Sequence, residues 1–307
     1  MKKGIKTAYQ QGTKLRIAAP EYRNWLKRCI LEELKSDLGH KGDITSNSLI
    51  GNEKAAADII SKEKGILAGA EELIFLASMF GIKIKMHKKD GMPIKDGSRI
   101  ATLIGKAKTI LRLERLMLNM LQRMSGIATA TWNIIKKTKN KAAIAPTRKT
   151  LLRYLDKKAV YVAGGVTHRF GLFDAILIKD NHLNILKRKH KNYVEKAIEK
   201  ACKSRKQARF IGIEVKNTKE ALEAARIGAK VRRIPFILLL DNISAGEIRN
   251  IVNTLKEEML RNNVLLEASG GITEKNAVAY AKAGVDVISI GSLTHSVKAL
   301  DMGMEMR

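Results

Sequence analysis

The stretch FILLLDNISAGEIRNIVNTLKEEML (236–260) decides the fold. An apolar run of strand length stops on the polar pair Asp241 and Asn242, and the helical pattern SAGEIRNIVNTLKEEML (244–260) follows at once. Ser244 with Glu247 three residues on fits a capping box, which marks where the helix starts. Five further runs obey the same grammar: AAIAPTRK (142–149), AILIKDN (175–181), FIGIEVK (210–216), VLLEASGG (264–271) and VDVISIGS (285–292). Helical patterns lie between several of them: NYVEKAIEKACKSR (192–205), TKEALEAARIG (218–228) and TEKNAVAYAKAG (273–284), the last with Thr273 where an N-cap belongs. Strands alternating with helices of this length imply right-handed βαβ units and a parallel sheet covered on both faces.

In a β/α barrel the carboxyl ends of the strands face one shared mouth. Lys149, Lys179, Glu214, Asp241 and Ser269 are therefore expected around a single pocket. Between Thr147 and His182 the chain also gathers Arg148, Lys149, His168, Arg169 and Lys179 at the ends of apolar runs. Such a cluster suggests a ligand with several negative charges.

Composition narrows the classes. With 307 residues and 45% hydrophobic content the chain is globular and long enough for two domains, or for one barrel with an appendage. Its 58 Lys and Arg against 30 Asp and Glu leave a formal charge of +28, which invites a nucleic-acid-binding reading. That reading comes second. The basic runs KIKMHKKD (83–90), KKTKNK (136–141), KRKHK (187–191) and KSRK (203–206) are scattered and carry few of the aromatics that stacking platforms need. Charge runs of this kind usually form solvated faces. Cys29 and Cys202 read as small apolar residues in a reducing compartment, not as a disulfide or metal site. No run approaches a membrane span, and the opening MKKGIKTAYQQGTKLRIAAP lacks a signal-peptide core. We therefore expect a cytoplasmic protein with no membrane and no specific nucleic-acid partner, whose first 20 residues form a loosely held basic tail.

The first half reads differently. A helix from Glu21 is broken by GDITS (42–46), and short strands, glycine turns and the helical AEELIFLASMFGI (70–82) then suggest a small α+β domain. LRLERLMLNMLQRMSGIATATWNIIKKTK (111–139) is a long apolar helical passage, expected to break near Ser125 and Gly126. From spacing alone, Arg115 and Arg123 are solvated charges or ion-pair partners on it.

The passages GDITS (42–46), KGILAG (64–69), ERLMLNMLQRMSGIAT (114–129), TRKT (147–150), KKAVYVAGGVTHRFGLFDAILIKDNH (157–182), IEV (213–215), LLDN (239–242), LEASGGIT (266–273) and GVDVISIGSLTHSVKALD (284–301) together resemble the quinolinate phosphoribosyltransferase family, in family order. The resemblance implies an α/β fold, with an N-terminal α/β sandwich domain (21–125) followed by an incomplete β/α barrel (126–307), whose last ~12 residues pack back on the first domain. It implies transfer of phosphoribosyl from phosphoribosyl pyrophosphate (PRPP) to quinolinate with decarboxylation, a step of NAD biosynthesis that requires Mg²⁺.

Residue by residue, the resemblance assigns Arg148, His168, Arg169 and Lys179 to quinolinate, and Lys149 to the phosphates of the donor. Glu214 and Asp241 are assigned to Mg²⁺, directly or through water, or to the ribose hydroxyls. Ser269, Gly270, Gly271 and Gly291 are assigned to the 5′-phosphate through backbone N–H groups. Arg115 resembles the arginine that reaches a neighbouring subunit's pocket, so a homodimer with shared sites, or a higher oligomer, is expected. Lys149, Lys179, Glu214 and Asp241 are the expected catalytic set. His168 is read as a ligand contact and His295 as structural, while His182 is left between ligand contact and support of Lys179. His40, His87 and His190 receive no role.

Three departures from the family pattern stand out. No Thr-Pro-Gly turn follows TRKT, which tightens the turn carrying Lys149; Ala163 and Thr167 replace a usual glycine and asparagine; and GAKVRRIPFILLLDN (228–242) carries extra residues, expected to form a basic bulge. The enzyme alternative is a related type II phosphoribosyltransferase acting on nicotinate or another small acid.

Overall fold

The structure, a computed structural model, describes residues 2–204, 208–231 and 233–307. Arg205 and Lys206 of the KSRK run, and Arg232 of the expected bulge, lie outside the described residues. The strands, in chain order, are β1 (Lys54–Ser61), β2 (Gly65–Ile66), β3 (Lys83–Met86), β4 (Pro93–Ile94), β5 (Arg99–Lys106), β6 (Ala143–Pro146), β7 (Ile176–Ile178), β8 (Ile211–Val215), β9 (Phe236–Asp241), β10 (Leu265–Ser269), β11 (Val287–Ile290) and β12 (Met302–Met306). The chain divides into two compact units.

One unit comprises Gly12–Trp132, Tyr154–Gly164 and Val297–Arg307. Its sheet is antiparallel throughout, in the order β12-β1-β5-β3. Leu73 and Leu76 of the helix Ala70–Met79, and Tyr22, Leu26 and Ile30 of the helix Pro20–Leu38, supply much of its apolar interior. Buried charges join the segment Tyr154–Gly164 to this unit. Arg123 grips the fully buried Asp156 through two 2.8 Å bonds, and Lys158 pairs with Glu71 and Glu72. Arg123 is thus an ion-pair anchor. Such a pair is costly to break, because its survivor is left buried and unmatched.

The expected break at Ser125 and Gly126 does not occur; one helix runs unbroken over Ala107–Thr138. Gly126 is instead a packing residue. A Cβ built there would sit 2.1 Å from the Lys298 carbonyl oxygen, so the missing side chain admits the returning C-terminal segment. Ser125 points its Oγ at the backbone of Ala68, accepting from its N–H at 3.1 Å.

The other unit comprises Met1–Gln11, Asn133–Arg153 and Gly165–Ser296. All six expected strands form, entirely parallel, in the order β6-β11-β10-β9-β8-β7. Because the last strand, β11, returns beside the first, β6, the sheet curls almost into a ring with one seam between β6 and β7. Every residue of β8 is buried, as a strand covered on both faces requires. The helix Ala245–Glu257 buries Ile248, Ile251, Val252 and Leu255 on one face and opens with the Ser244–Glu247 capping box. Near Thr273 the helix starts late: Asn276 is the N-cap, and regular structure covers only Ala277–Ala283.

The first residues are not a loose tail. Lys3–Tyr9 is a helix that buries Ile5, Ala8 and Tyr9 against Ala145, Phe210, Ile237, Leu265 and Val287, inside the ring of strands. Apolar residues at i, i+3 and i+4 give a seven-residue helix a face to bury even among lysines. Among the described residues, no helix is long and apolar enough to cross a membrane.

Gly→Ala in an isolated helix interior gains about 1 kcal/mol. We expect Gly126→Ala to do the opposite, losing about 1–3 kcal/mol through overpacking, seen as a lower urea midpoint. A gain would show that the segment around Lys298 does not pack there.

Candidate active site

Strand periodicity builds this site in layers. Side chains two apart share a face, so β9 turns Ile237, Leu239 and Asp241 inward and β10 turns Leu265, Glu267 and Ser269. The first member of each set lies in the apolar layer around Tyr9. The second forms the floor of a cavity, with Leu177 and Ser289, and the third reaches its mouth, with Thr147, Lys179 and Gly291. The cavity holds about 650 Å³.

The cavity brings together Arg148, Lys149, His168, Arg169, Lys179, Asp241, Ser269, Gly270, Gly271 and Gly291. Four of these are cations, and their compensation is thin. Arg148 and Lys149 have no carboxylate partner among the described residues, and Lys179 meets Glu214 only at 3.5 Å. Arg169 is buried and donates to the Ala175 carbonyl at 3.2 Å. Burial, and then the neighbouring charge of Arg148, push its basicity below the usual arginine value.

Glu214 does not line the main cavity; its carboxylate touches it through Lys179. Arg115 lies in the other unit, exposed, with a 3.2 Å bond to Glu114. The backbone bends within TRKT itself, the Thr150 N–H donating to the Arg148 carbonyl at 3.0 Å, and Lys149 lines the cavity without the Thr-Pro-Gly turn.

His168 is committed inside the protein. Its Nδ1 accepts from the Arg169 backbone N–H at 2.7 Å, which leaves Nε2 to donate to Glu267 Oε1 at 3.0 Å. Its backbone is left-handed (φ 53°), a strain of about 1–3 kcal/mol that surrounding contacts must hold. Only the edge of the ring is left for a ligand. His182 caps the helix Asp180–Lys187, with Nδ1 accepting from the Lys179 N–H at 2.9 Å, and it is absent from the cavity lining. His295, read as structural, lines the cavity beside Gly291 and bonds Ser296 Oγ at 2.7 Å.

Sequence reasoning missed the centre of the floor. Glu267 accepts from His168, from Ser289 Oγ at 2.5 Å and from the Tyr9 hydroxyl. Burial would push this carboxyl up, but His168 and the hydroxyl donors outweigh it and hold the group below the usual range. The signal was available, because Glu267 lies two residues before Ser269 on the same strand face.

At the mouth, the backbone N–H groups of Gly270 and Gly271 find no acceptor among the described residues. Gly270 has φ 91°, and a Cβ there would meet Asn242 Oδ1 at 2.3 Å, so this turn admits only glycine. Among the described residues no group of three or more His, Cys, Asp or Glu could hold a metal. Glu214 and Asp241 do sit near the ends of adjacent strands, close enough for their negative charges to repel. Burial pushes Glu214 up, Lys179 pulls it back, and Asp241 and Asp180 push it up again; the net result lies above the usual range.

A profile described as quinolinate phosphoribosyl transferase, C-terminal domain, matches residues 127–305, and its N-terminal counterpart matches 43–125. The chain is 40% identical over 284 residues to a probable nicotinate-nucleotide pyrophosphorylase (carboxylating) of Methanothermobacter thermautotrophicus, covering 91% of this chain and 98% of that protein. It is 33% identical over 292 residues to the Mycobacterium leprae nicotinate-nucleotide pyrophosphorylase (carboxylating), covering 92% and 96%. The solved nicotinate-nucleotide pyrophosphorylase of Francisella tularensis superposes with a TM-score of 0.80 at 33% identity, covering 92% of this chain and 96% of that one. Human nicotinic acid phosphoribosyltransferase, at 12% identity and a TM-score of 0.54, shares the fold alone.

A carboxyl that holds its proton more tightly when folded costs stability once ionised. Glu214→Gln should therefore raise the melting midpoint at pH 7–8, and the gain should vanish as pH falls towards the ordinary glutamate value of about 4.3. Melts across that range check it; an equal gain at every pH would point to packing instead.

Proposed function

The chain belongs to the quinolinate phosphoribosyltransferase family, and from that premise we propose how its cavity carries out the carboxylating nicotinate-nucleotide pyrophosphorylase reaction of NAD biosynthesis. The observation that carries the reading is the convergence of Arg148, Lys149, Arg169 and Lys179 on one cavity with, among the described residues, one long ion pair to offset them. Quinolinate brings two carboxylates, and planar guanidinium groups hold carboxylates bidentately while staying charged. Arg148 and Arg169 take these carboxylates, with Lys179 completing the cationic wall. His168 orients Arg169 from below, with its ring edge towards the substrate.

PRPP occupies the opposite side. The free N–H groups of Gly270 and Gly271, with Ser269 and Gly291 beside them, suit its 5′-phosphate, and Lys149 meets the pyrophosphate. The ring nitrogen of quinolinate attacks C1′ as the bond from C1′ to pyrophosphate breaks. Positive charge develops on the ribose and negative charge on the leaving group, so fixed charges at both ends lower the barrier. Glu214 and Asp241 suit Mg²⁺: their mutual repulsion is relieved by a divalent cation, and hard carboxylate oxygens with retained waters are what that ion prefers. Bound there, Mg²⁺ supplies charge neutralisation to the pyrophosphate.

Loss of the 2-carboxylate then leaves an electron pair on C2, stabilised by the quaternised ring nitrogen and taken up by a proton from solvent. No protein nucleophile is needed. Orientation and charge suffice, over a floor kept partly apolar by Leu177 and Leu239. We take the enzyme to work as a cytoplasmic homodimer, with Arg115 reaching the pocket of a second subunit.

With PRPP and Mg²⁺, we expect carbon dioxide from quinolinate and no turnover of nicotinate; nicotinate turnover without carbon dioxide would overturn the assignment. Arg169→Lys keeps the charge but loses the fork, and should raise the KM for quinolinate about 10- to 100-fold. For the shared site, mixing inactive Arg115→Ala and Lys149→Ala proteins should restore part of the activity through hybrid dimers. Proven subunit exchange with no recovery would remove Arg115 from that role.

A further inference from the structure

We infer that the first residues of the chain prop up the quinolinate side of the site from beneath, and that Tyr9 is a positioning residue for His168 and Arg169. The inference rests on the proposed role of those two residues. It begins from where the helix Lys3–Tyr9 lies: Tyr9 is fully buried in the apolar layer directly below the cavity floor. Its hydroxyl donates to Glu267 Oε2, while His168 Nε2 occupies Oε1 of the same carboxylate. The Tyr9 and His168 rings meet edge to face, 5.0 Å between centroids.

The backbone is tied as well. The Tyr9 carbonyl accepts from the Thr167 N–H at 3.0 Å and from Thr167 Oγ1 at 2.7 Å, and the Gln11 N–H donates to that same Oγ1 at 3.0 Å. Gln11 Nε2 donates to Asp174 Oδ2, which also accepts the Phe170 N–H at 2.7 Å. Both flanks of the His168 and Arg169 pair are therefore fastened to residues 9–11. At its other end the segment is anchored by Lys2 on the buried Asp286 at 2.7 Å.

These ties have a consequence for binding. His168 is left-handed in its backbone and spends both ring nitrogens inside the protein, so its place is set by Glu267 on one side and Thr167 on the other. Tyr9 is bonded to both. Without the hydroxyl, Glu267 Oε2 loses its donor in a buried site, and the carboxylate must turn to find another. His168 would follow it, and the Arg169 backbone bonded to His168 Nδ1 would shift as well.

Tyr9→Phe keeps the ring and removes only the hydroxyl. In steady-state kinetics of the full-length protein we expect the KM for quinolinate to rise about tenfold, with the KM for PRPP and kcat each within about twofold, since misplacement should be confined to one substrate. Thr167→Val, which removes both Oγ1 bonds of the second tie and leaves only its backbone N–H bond to Tyr9, should shift the quinolinate KM the same way and decides the matter if Tyr9→Phe does not fold. An unchanged quinolinate KM in the folded variants, or an equal rise for both substrates, would overturn the inference. Arg169→Lys run alongside separates the two levels. If it too leaves quinolinate KM unchanged, the assignment of the quinolinate side has failed; if it alone raises the value, only the positioning role of Tyr9 has.

Discussion

Repulsion among like charges is the constraint on which this site depends. Two unit charges 6 Å apart repel by about 3 kcal/mol at an effective dielectric near 20, and here Arg148, Lys149, Arg169 and Lys179 share one cavity with little to offset them. The basicity of Arg169 is lowered first by burial and then by the neighbouring charge of Arg148, the second of which is that repulsion. A folded chain tolerates such a cluster only if rigid elements hold each cation. Here β6 and β7 end just before Arg148, Lys149 and Lys179, and the segment carrying Arg169 is fixed by bonds from Thr167 to Tyr9, from Arg169 to His168 and from Phe170 to Asp174, so the cations stand on loops rooted in a covered parallel sheet. Stability given up at such a site is the usual companion of a prepared anion pocket.

Along each strand the ring of six changes character in two-residue steps. Ile237, Leu239 and Asp241 pass from apolar core to cavity floor to charged mouth, and Leu265, Glu267 and Ser269 do the same one strand over. Glu267 is the hinge of this change. It brings a negative charge below the cations without pairing directly with them, being occupied by His168, Ser289 and Tyr9. The floor is thereby fixed by hydrogen bonds, and the cations above it stay available for a ligand.

Much of this was legible in the sequence, for identifiable reasons. All six strands of the ring could be read because buried parallel strands are continuous apolar runs, and Ser244 with Glu247 marked a helix start that local chemistry alone enforces. The ends of those runs named the cations of the cavity, since strand ends share one mouth. What escaped depends on tertiary contacts. Gly126 reads as a helix breaker until the Lys298 carbonyl is seen beside it. Tyr9 sits in a lysine-rich stretch whose three apolar residues acquire meaning only inside the ring of strands. Glu267 could have been found from its place two residues before Ser269 on one strand face, whereas only the folded contacts show that Glu214 reaches the cavity through Lys179.

The central claim is that the cluster is built for two carboxylates. Calorimetric titration with quinolinate and with nicotinate, under one buffer and salt condition, tests it directly, because the ligands differ by a single carboxylate. One charged hydrogen-bonding partner is worth about 1.5–3 kcal/mol, so quinolinate should bind at least about tenfold more tightly. Equal affinity for the two acids would contradict a site matched to a dicarboxylate.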